Sequence, residues 1–96
     1  IKPKEIERLL ETHEGIEKSA VLGISNKLVG EKIMALFTPN EGYEPTSEMI
    51  TDHMESLVKE GKIDEIAIPD KIKMLKEMPK TGAGTIDRDE LRKKYI

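Results

Sequence analysis

Glu31-Lys32-Ile33-Met34-Ala35-Leu36-Phe37-Thr38 is the stretch whose reading decides the fold. Its centre, Ile33 to Phe37, is apolar at odd and even positions alike. A strand alternates its side chains between two faces, so such a run suits a central strand covered on both sides. Upstream, Ile16 to Ile24 reads as another strand, centred on Ala20-Val21-Leu22. Ser25-Asn26-Lys27 is turn chemistry, and Gly30 closes that loop. Two neighbouring strands with a short connection imply an antiparallel hairpin. Downstream, Lys71 to Leu75 alternates polar and apolar residues through Ile72 and Met74, which predicts a short third strand.

Helical spacing surrounds these strands. Pro3 suits a first helical turn, where its missing N–H costs nothing. Ile6, Leu9, Leu10 and His13 then fall on one helix face, and Gly15 is placed to end the helix. Thr46 or Ser47 caps a second helix with an apolar stripe of Ile50, His53, Met54, Leu57 and Val58, ended by Gly61. Ile63 to Asp70 reads as an irregular link. Asp87 and Glu90 have capping-box spacing ahead of a last helix anchored by Leu91 and Tyr95. The expected fold is α+β: a small three-stranded sheet, made of an antiparallel hairpin plus a third strand after a crossover helix, flanked by helices. The order is α-β-β-α-β-α, and the crossover is right-handed if its two strands are parallel.

The 96 residues make one domain with a thin core. Aromatics are nearly absent (Phe37, Tyr43, Tyr95), so Leu, Ile and Met must fill that core. The net charge is -3, with acidic and basic residues interspersed, which argues against a nucleic-acid footprint. No apolar run approaches the roughly 18 residues of a membrane span, and no signal peptide is visible. The absence of cysteine excludes disulfides and thiolate metal sites, and fits a cytoplasmic setting. A chain starting at Ile1 reads as a piece of something longer.

Four features are candidates for chemistry. His13 and His53 lie on apolar helix faces without a further His, Cys or carboxylate at ligand spacing, so structural roles are expected and no metal site. Glu5, Glu7 and Glu11 could do acid–base work only in a cleft that shifts their proton affinities; on a helix they read as a solvated face. Lys59 and Lys62 complement the dipole at the end of the second helix, and would also suit an anionic partner. The fourth is the loop Pro79-Lys80-Thr81-Gly82-Ala83-Gly84-Thr85-Ile86-Asp87-Arg88. Its two glycines lack the third of a dinucleotide fingerprint and the Gly-Lys-Ser/Thr of a P-loop. Alone it reads either as a strand-to-helix turn or as a loop that brings backbone and the Thr85 side chain close to a ligand.

The order of motifs adds a resemblance. Pro3-x-Glu5-Ile6-Glu7, His13, Ala20-Val21-x-Gly23, Gly30-Glu31, Ile68-Pro69, the stretch from Pro79 to Arg88, and Leu91-Arg92 follow one another at familiar spacings. Together they resemble the C-terminal domain of the adenylate-forming synthetases, through essentially the whole chain. Within that superfamily, Ile68-Pro69-Asp70-Lys71-Ile72 through Met78-Pro79, with Leu36-Phe37-Thr38, looks like the acyl-ACP synthetase part of acylglycerophosphoethanolamine acyltransferase-type proteins.

The resemblance implies residues 1–96 as the mobile lid of an ATP-dependent acid–thiol ligase. Such an enzyme activates a carboxylate, here a fatty acid, as an acyl-adenylate, and passes the acyl group to CoA or to a carrier-protein phosphopantetheine. A larger N-terminal domain, the lid's own partner, holds ATP and Mg²⁺, and the hinge lies just before Ile1. No cofactor is expected on the lid alone. In one orientation the glycine loop, around Gly84, delivers a lysine; in another, a different face of the lid lines the thiol's path, with Lys59 and Lys62 as contact candidates. At the lysine's position this sequence has Thr85, and Ala83 replaces the commoner serine. Lys80, five residues earlier, is the candidate cation that would reach in by a different loop path. The alternative is a non-catalytic docking module for a carrier protein or partner domain, with Lys59, Lys62, Lys93 and Lys94 facing an acidic partner.

Overall fold

A computed structural model describes residues 3–26 and 30–96. The elements are α1 (Pro3–Leu10), β1 (Ile16–Asn26), β2 (Gly30–Pro39), α2 (Ser47–Lys59), a single 3₁₀ turn (Glu65–Ala67), β3 (Lys71–Met74) and α3 (Arg88–Tyr95). The order is α-β-β-α-β-α, as expected. The sheet order is β1-β2-β3, with β1 antiparallel and β3 parallel to the central β2.

The two-sided apolar run of β2 is divided by the pleat. Ile33, Ala35 and Phe37 enter one core with Ile6 and Leu10 of α1 and Ile50, Met54 and Leu57 of α2. Met34 and Leu36 enter the other, with Ala20, Leu22, Leu75, Met78 and Leu91. One irregularity serves this division. Ile16 pairs with Pro39 but Lys18 with Thr38, so β1 carries one extra residue at Glu17. The bulge shifts the alternation and puts Ile16 in the same core as Val21, which unbroken period-two spacing would forbid.

Caps set the helix ends. Thr46 is the N-cap of α2, its hydroxyl accepting from Met49 N at 3.1 Å. After Glu60, Gly61 adopts φ 76°, Gly61 N donates to Val58 O and Lys62 N to Leu57 O, which is the Schellman pattern. Pro69 ends the link, and Asp70 then opens the parallel pairing twice over. Its N–H donates to Ile33 O, and its carboxylate accepts from Ile33 N, both at 2.8 Å.

Three local expectations are corrected. α1 ends at Leu10 rather than at Gly15, and His13 sits in the following turn. The backbone tightens there: Thr12 N donates to Leu9 O and His13 N to Leu10 O, three residues back, and the Thr12 hydroxyl also donates to Leu9 O. Ser25 and Asn26 belong to β1, paired with Glu31 and Gly30, rather than to a turn; Lys27 lies outside the described residues. The capping box of α3 is half used. Asp87 accepts from Glu90 N at 3.1 Å, but Asp87 N donates to Pro79 O instead of to Glu90.

Candidate functional site

The glycine loop is a small hairpin standing between β3 and α3. Lys80 and Ile86 form an antiparallel bridge at its base. Thr81 N donates to Thr85 O at 2.8 Å, and Gly84 N to Thr81 O at 3.0 Å. Gly84 has φ 84°, the left-handed position of a three-residue hairpin loop. Of the two glycines, Gly84 alone needs its freedom; Gly82 has no positive φ. The tip is exposed, and Thr85 Oγ1 lies 2.9 Å from Thr81 Oγ1. Thr85 therefore presents a hydroxyl already shared with its neighbour, and no charge.

Lys80 stands at the base of the hairpin. It lines a cleft of about 430 Å³ with Glu17, Lys18, Lys76 and Glu77. The like-charged Lys18 side chain beside it holds the Lys80 ammonium below the ordinary lysine value.

The base of the hairpin is fixed by a residue that had read as solvated face. Glu7 is only 8% exposed. Arg88, the first residue of α3, meets it with both terminal nitrogens: Nη1 donates to Oε2, and Nη2 to Oε1 at 2.7 Å. The same Oε2 accepts from Val21 N at 2.7 Å, on the β1 edge that faces away from β2. The pair thus passes round the sheet edge and joins α1 to α3. Glu7 raises the proton affinity of Arg88 further above its already high value, chiefly through this hydrogen bonding. Glu11 also has a partner, accepting from Ser19 Oγ at 2.7 Å, while Glu5 is exposed. No sequence signal links Glu7 to Arg88, because 81 positions separate them.

The remaining candidates lie elsewhere. Lys59 and Lys62 are exposed at the end of α2, on the opposite sheet face from Ile86 and Leu91. Lys62 stands 3.9 Å from Glu60 and lines a cleft of about 780 Å³ with Glu5, Asp64 and Glu65, so its surroundings are acidic. Lys93 and Lys94 are exposed on α3. His13 and His53 do meet, edge to face, with ring centroids 5.1 Å apart. His13 Nδ1 accepts from Gly15 N, and His53 Nε2 lies 2.9 Å from Thr12 Oγ1 and 3.3 Å from Leu9 O. Because Leu9 O only accepts, Nε2 of His53 carries a proton. Burial lowers the proton affinity of His53, and His13 adds to the effect. Among the described residues no three His, Cys, Asp or Glu side chains are placed to hold a metal ion. No helix among them is long and apolar enough to cross a membrane.

Residues 5–85 match the family described as the AMP-binding enzyme C-terminal domain. The chain belongs to that family. The match runs through both core layers and ends on Thr85, at the hairpin tip. The domain is 42% identical over 89 residues to the acetyl-coenzyme A synthetase of Serratia proteamaculans (strain 568), covering 93% of this chain and 13% of that protein. It is 38% identical, with the same coverage, to the acetyl-coenzyme A synthetase of Bartonella quintana (strain Toulouse). The chain therefore spans 13% of the length of these curated relatives. Among solved structures, an acyl-CoA synthetase of Brucella canis superposes with a TM-score of 0.81 at 30% identity, covering 98% of this chain and 17% of that one. An amide bond synthetase from Marinactinospora thermotolerans gives a TM-score of 0.85 at 20% identity, covering 99% and 18%, and shows the shared fold alone.

Proposed function

We propose that this domain is the mobile lid of an AMP-forming acid–thiol ligase, acting on a carboxylate held by a larger N-terminal domain. The observation that carries the reading is the ordered hairpin at Pro79–Arg88, projected from the lid on a fixed base. In this reading the whole enzyme joins ATP and a carboxylic acid into an acyl-adenylate, then transfers the acyl group to the thiol of CoA or of a carrier-protein phosphopantetheine. A fatty acid as the carboxylate and a cytoplasmic setting belong to the same proposal. Mg²⁺, accompanying ATP on the larger domain, belongs to the same proposal.

Adenylation builds negative charge on the attacking carboxylate and on the phosphorus oxygens. A fixed donor there stabilises the transition state more than the ground state. The hairpin would bring Thr85 and the Gly84 backbone to that point when the lid closes. A hydroxyl supplies one hydrogen bond and no charge, and loss of a preorganised donor costs about 10²–10³ in rate. Adenylation is therefore expected to be slow. Lys59 and Lys62 lie on the other sheet face, which suits a thiol path used after the lid rotates.

The test is Thr85→Lys in the full-length ligase, with adenylate formation and thioester formation measured separately. The expected result is about a 10²-fold or greater gain in the first step and little change in the second. No gain in adenylation would sink the delivery role of the hairpin. The uncharged tip also favours a second reading, a docking module for an acidic carrier protein. Charge reversal at Lys59, Lys62, Lys93 and Lys94 would then weaken carrier binding, and unchanged binding would exclude it.

A further inference from the structure

We propose that Glu7 is a positioning residue for the hairpin, acting through Arg88 to fix the angle at which Thr85 is presented. This deepens, and its catalytic arm rests on, the lid reading above.

The geometry carries it. Arg88 directly follows Asp87, whose N–H closes the hairpin base on Pro79 O and whose carboxylate caps α3. The orientation of hairpin and helix is therefore decided at this junction. The body of α3 is held farther along, by buried Leu91 and by Arg92 Nη1 donating to Gly23 O at 3.1 Å. At the hairpin end the tie is the two-pronged Glu7–Arg88 contact. A bidentate pair fixes the plane of the guanidinium as well as its distance. Glu7 is in turn fixed, because its Oε2 is bound to Val21 N on the sheet edge. The chain of contacts runs from β1 through Glu7 and Arg88 to the hairpin base. A pair of this kind, with Glu7 buried and Arg88 partly exposed, adds orientation more surely than stability. Orientation matters at such a site, where misplacement of about 1 Å can cost 10²-fold.

Two measurements test the proposal. The first is amide hydrogen exchange on this chain, comparing the native protein with Glu7→Gln and Arg88→Met. Thr81 and Asp87 N–H should exchange about tenfold faster in both variants, while the β2 amides of Leu36 and Phe37 keep their rates. Unchanged hairpin exchange would overturn the proposal, and so would equal acceleration throughout, which would mean general destabilisation. The second measurement uses the full-length ligase carrying Thr85→Lys, so that adenylation is readily measured. Adding Glu7→Gln should lower adenylate formation about 10- to 100-fold, and leave thioester formation from supplied acyl-adenylate within about twofold. A parallel fall in both half-reactions would reduce Glu7 to a structural residue. If the Thr85→Lys ligase with Glu7 intact forms no adenylate, the lid reading fails, and the exchange result still decides whether Glu7 holds the hairpin.

Discussion

The two faces of the sheet are built differently. One is closed by two helices, whose Ile6, Leu10, Ile50, Met54 and Leu57 pack on Ile33, Ala35 and Phe37. The other is covered by the eight-residue α3 and the segment leading into it, with Leu91, Leu75 and Met78 on Met34 and Leu36. Hydrophobic area holds the first face. Polar ties at the margin complete the second: Arg88 on Glu7, Arg92 on Gly23 O, and Asp87 N on Pro79 O. The lesson is a division of labour. A thick layer supplies stability, and a thin layer with directional ties presents a loop, which can then change at its tip without endangering the core.

The sharpest way to break this contrast is to remove one core residue from each face. Met54→Ala should cost about 3–5 kcal/mol and Leu91→Ala about 2 kcal/mol, read by chemical denaturation. An equal or larger loss for Leu91→Ala would show that the thin face carries as much stability as the thick one. A milder perturbation tests the tip. Gly84→Ala places a Cβ in open space but at φ 84°, so the penalty is backbone strain alone, about 1 kcal/mol. That loss should appear as faster exchange confined to the hairpin, and exchange spreading to α2 would contradict the division.

The smallest effect belongs to the thick face. His53 has a proton affinity lowered mainly by burial, with His13 contributing. The unfolded chain therefore binds this proton more readily than the folded one, near the ordinary imidazole value of about 6.5. The associated stability is present above that value, and is lost as pH falls from there through the lower folded value. Denaturation between about pH 7 and 5 should show this decline, and His53→Gln should flatten it. An unchanged slope would mean that the His13–His53 contact contributes nothing to the α1–α2 junction.

Much of this was legible along the chain. The strand at Ile33–Phe37 announced a two-sided core, Thr46 and Gly61 bracketed α2, and the run from Pro79 to Arg88 marked the loop. The errors were of one kind. α1 looked longer because His13 continues its apolar spacing, whereas the backbone tightens into a turn at Thr12 and His13. Glu7 looked solvated because it stands with Glu5 and Glu11 in a run of carboxylates on a helix. Nor could the chain alone show that Lys80 lines a cleft with Lys18, on a strand more than sixty positions away.

The sequence by itself determined the elements, their order, the two-faced central strand and the uncharged residue at the hairpin tip. These follow from short-range chemistry: side-chain period, caps and turn residues act within a few positions. Tertiary structure alone decided that Glu7 is buried, that Arg88 reaches it from 81 positions away, and that the hairpin is thereby aimed. Such an ion pair has no local signature, because Glu7 becomes worth burying only when the folded chain brings Arg88 to it.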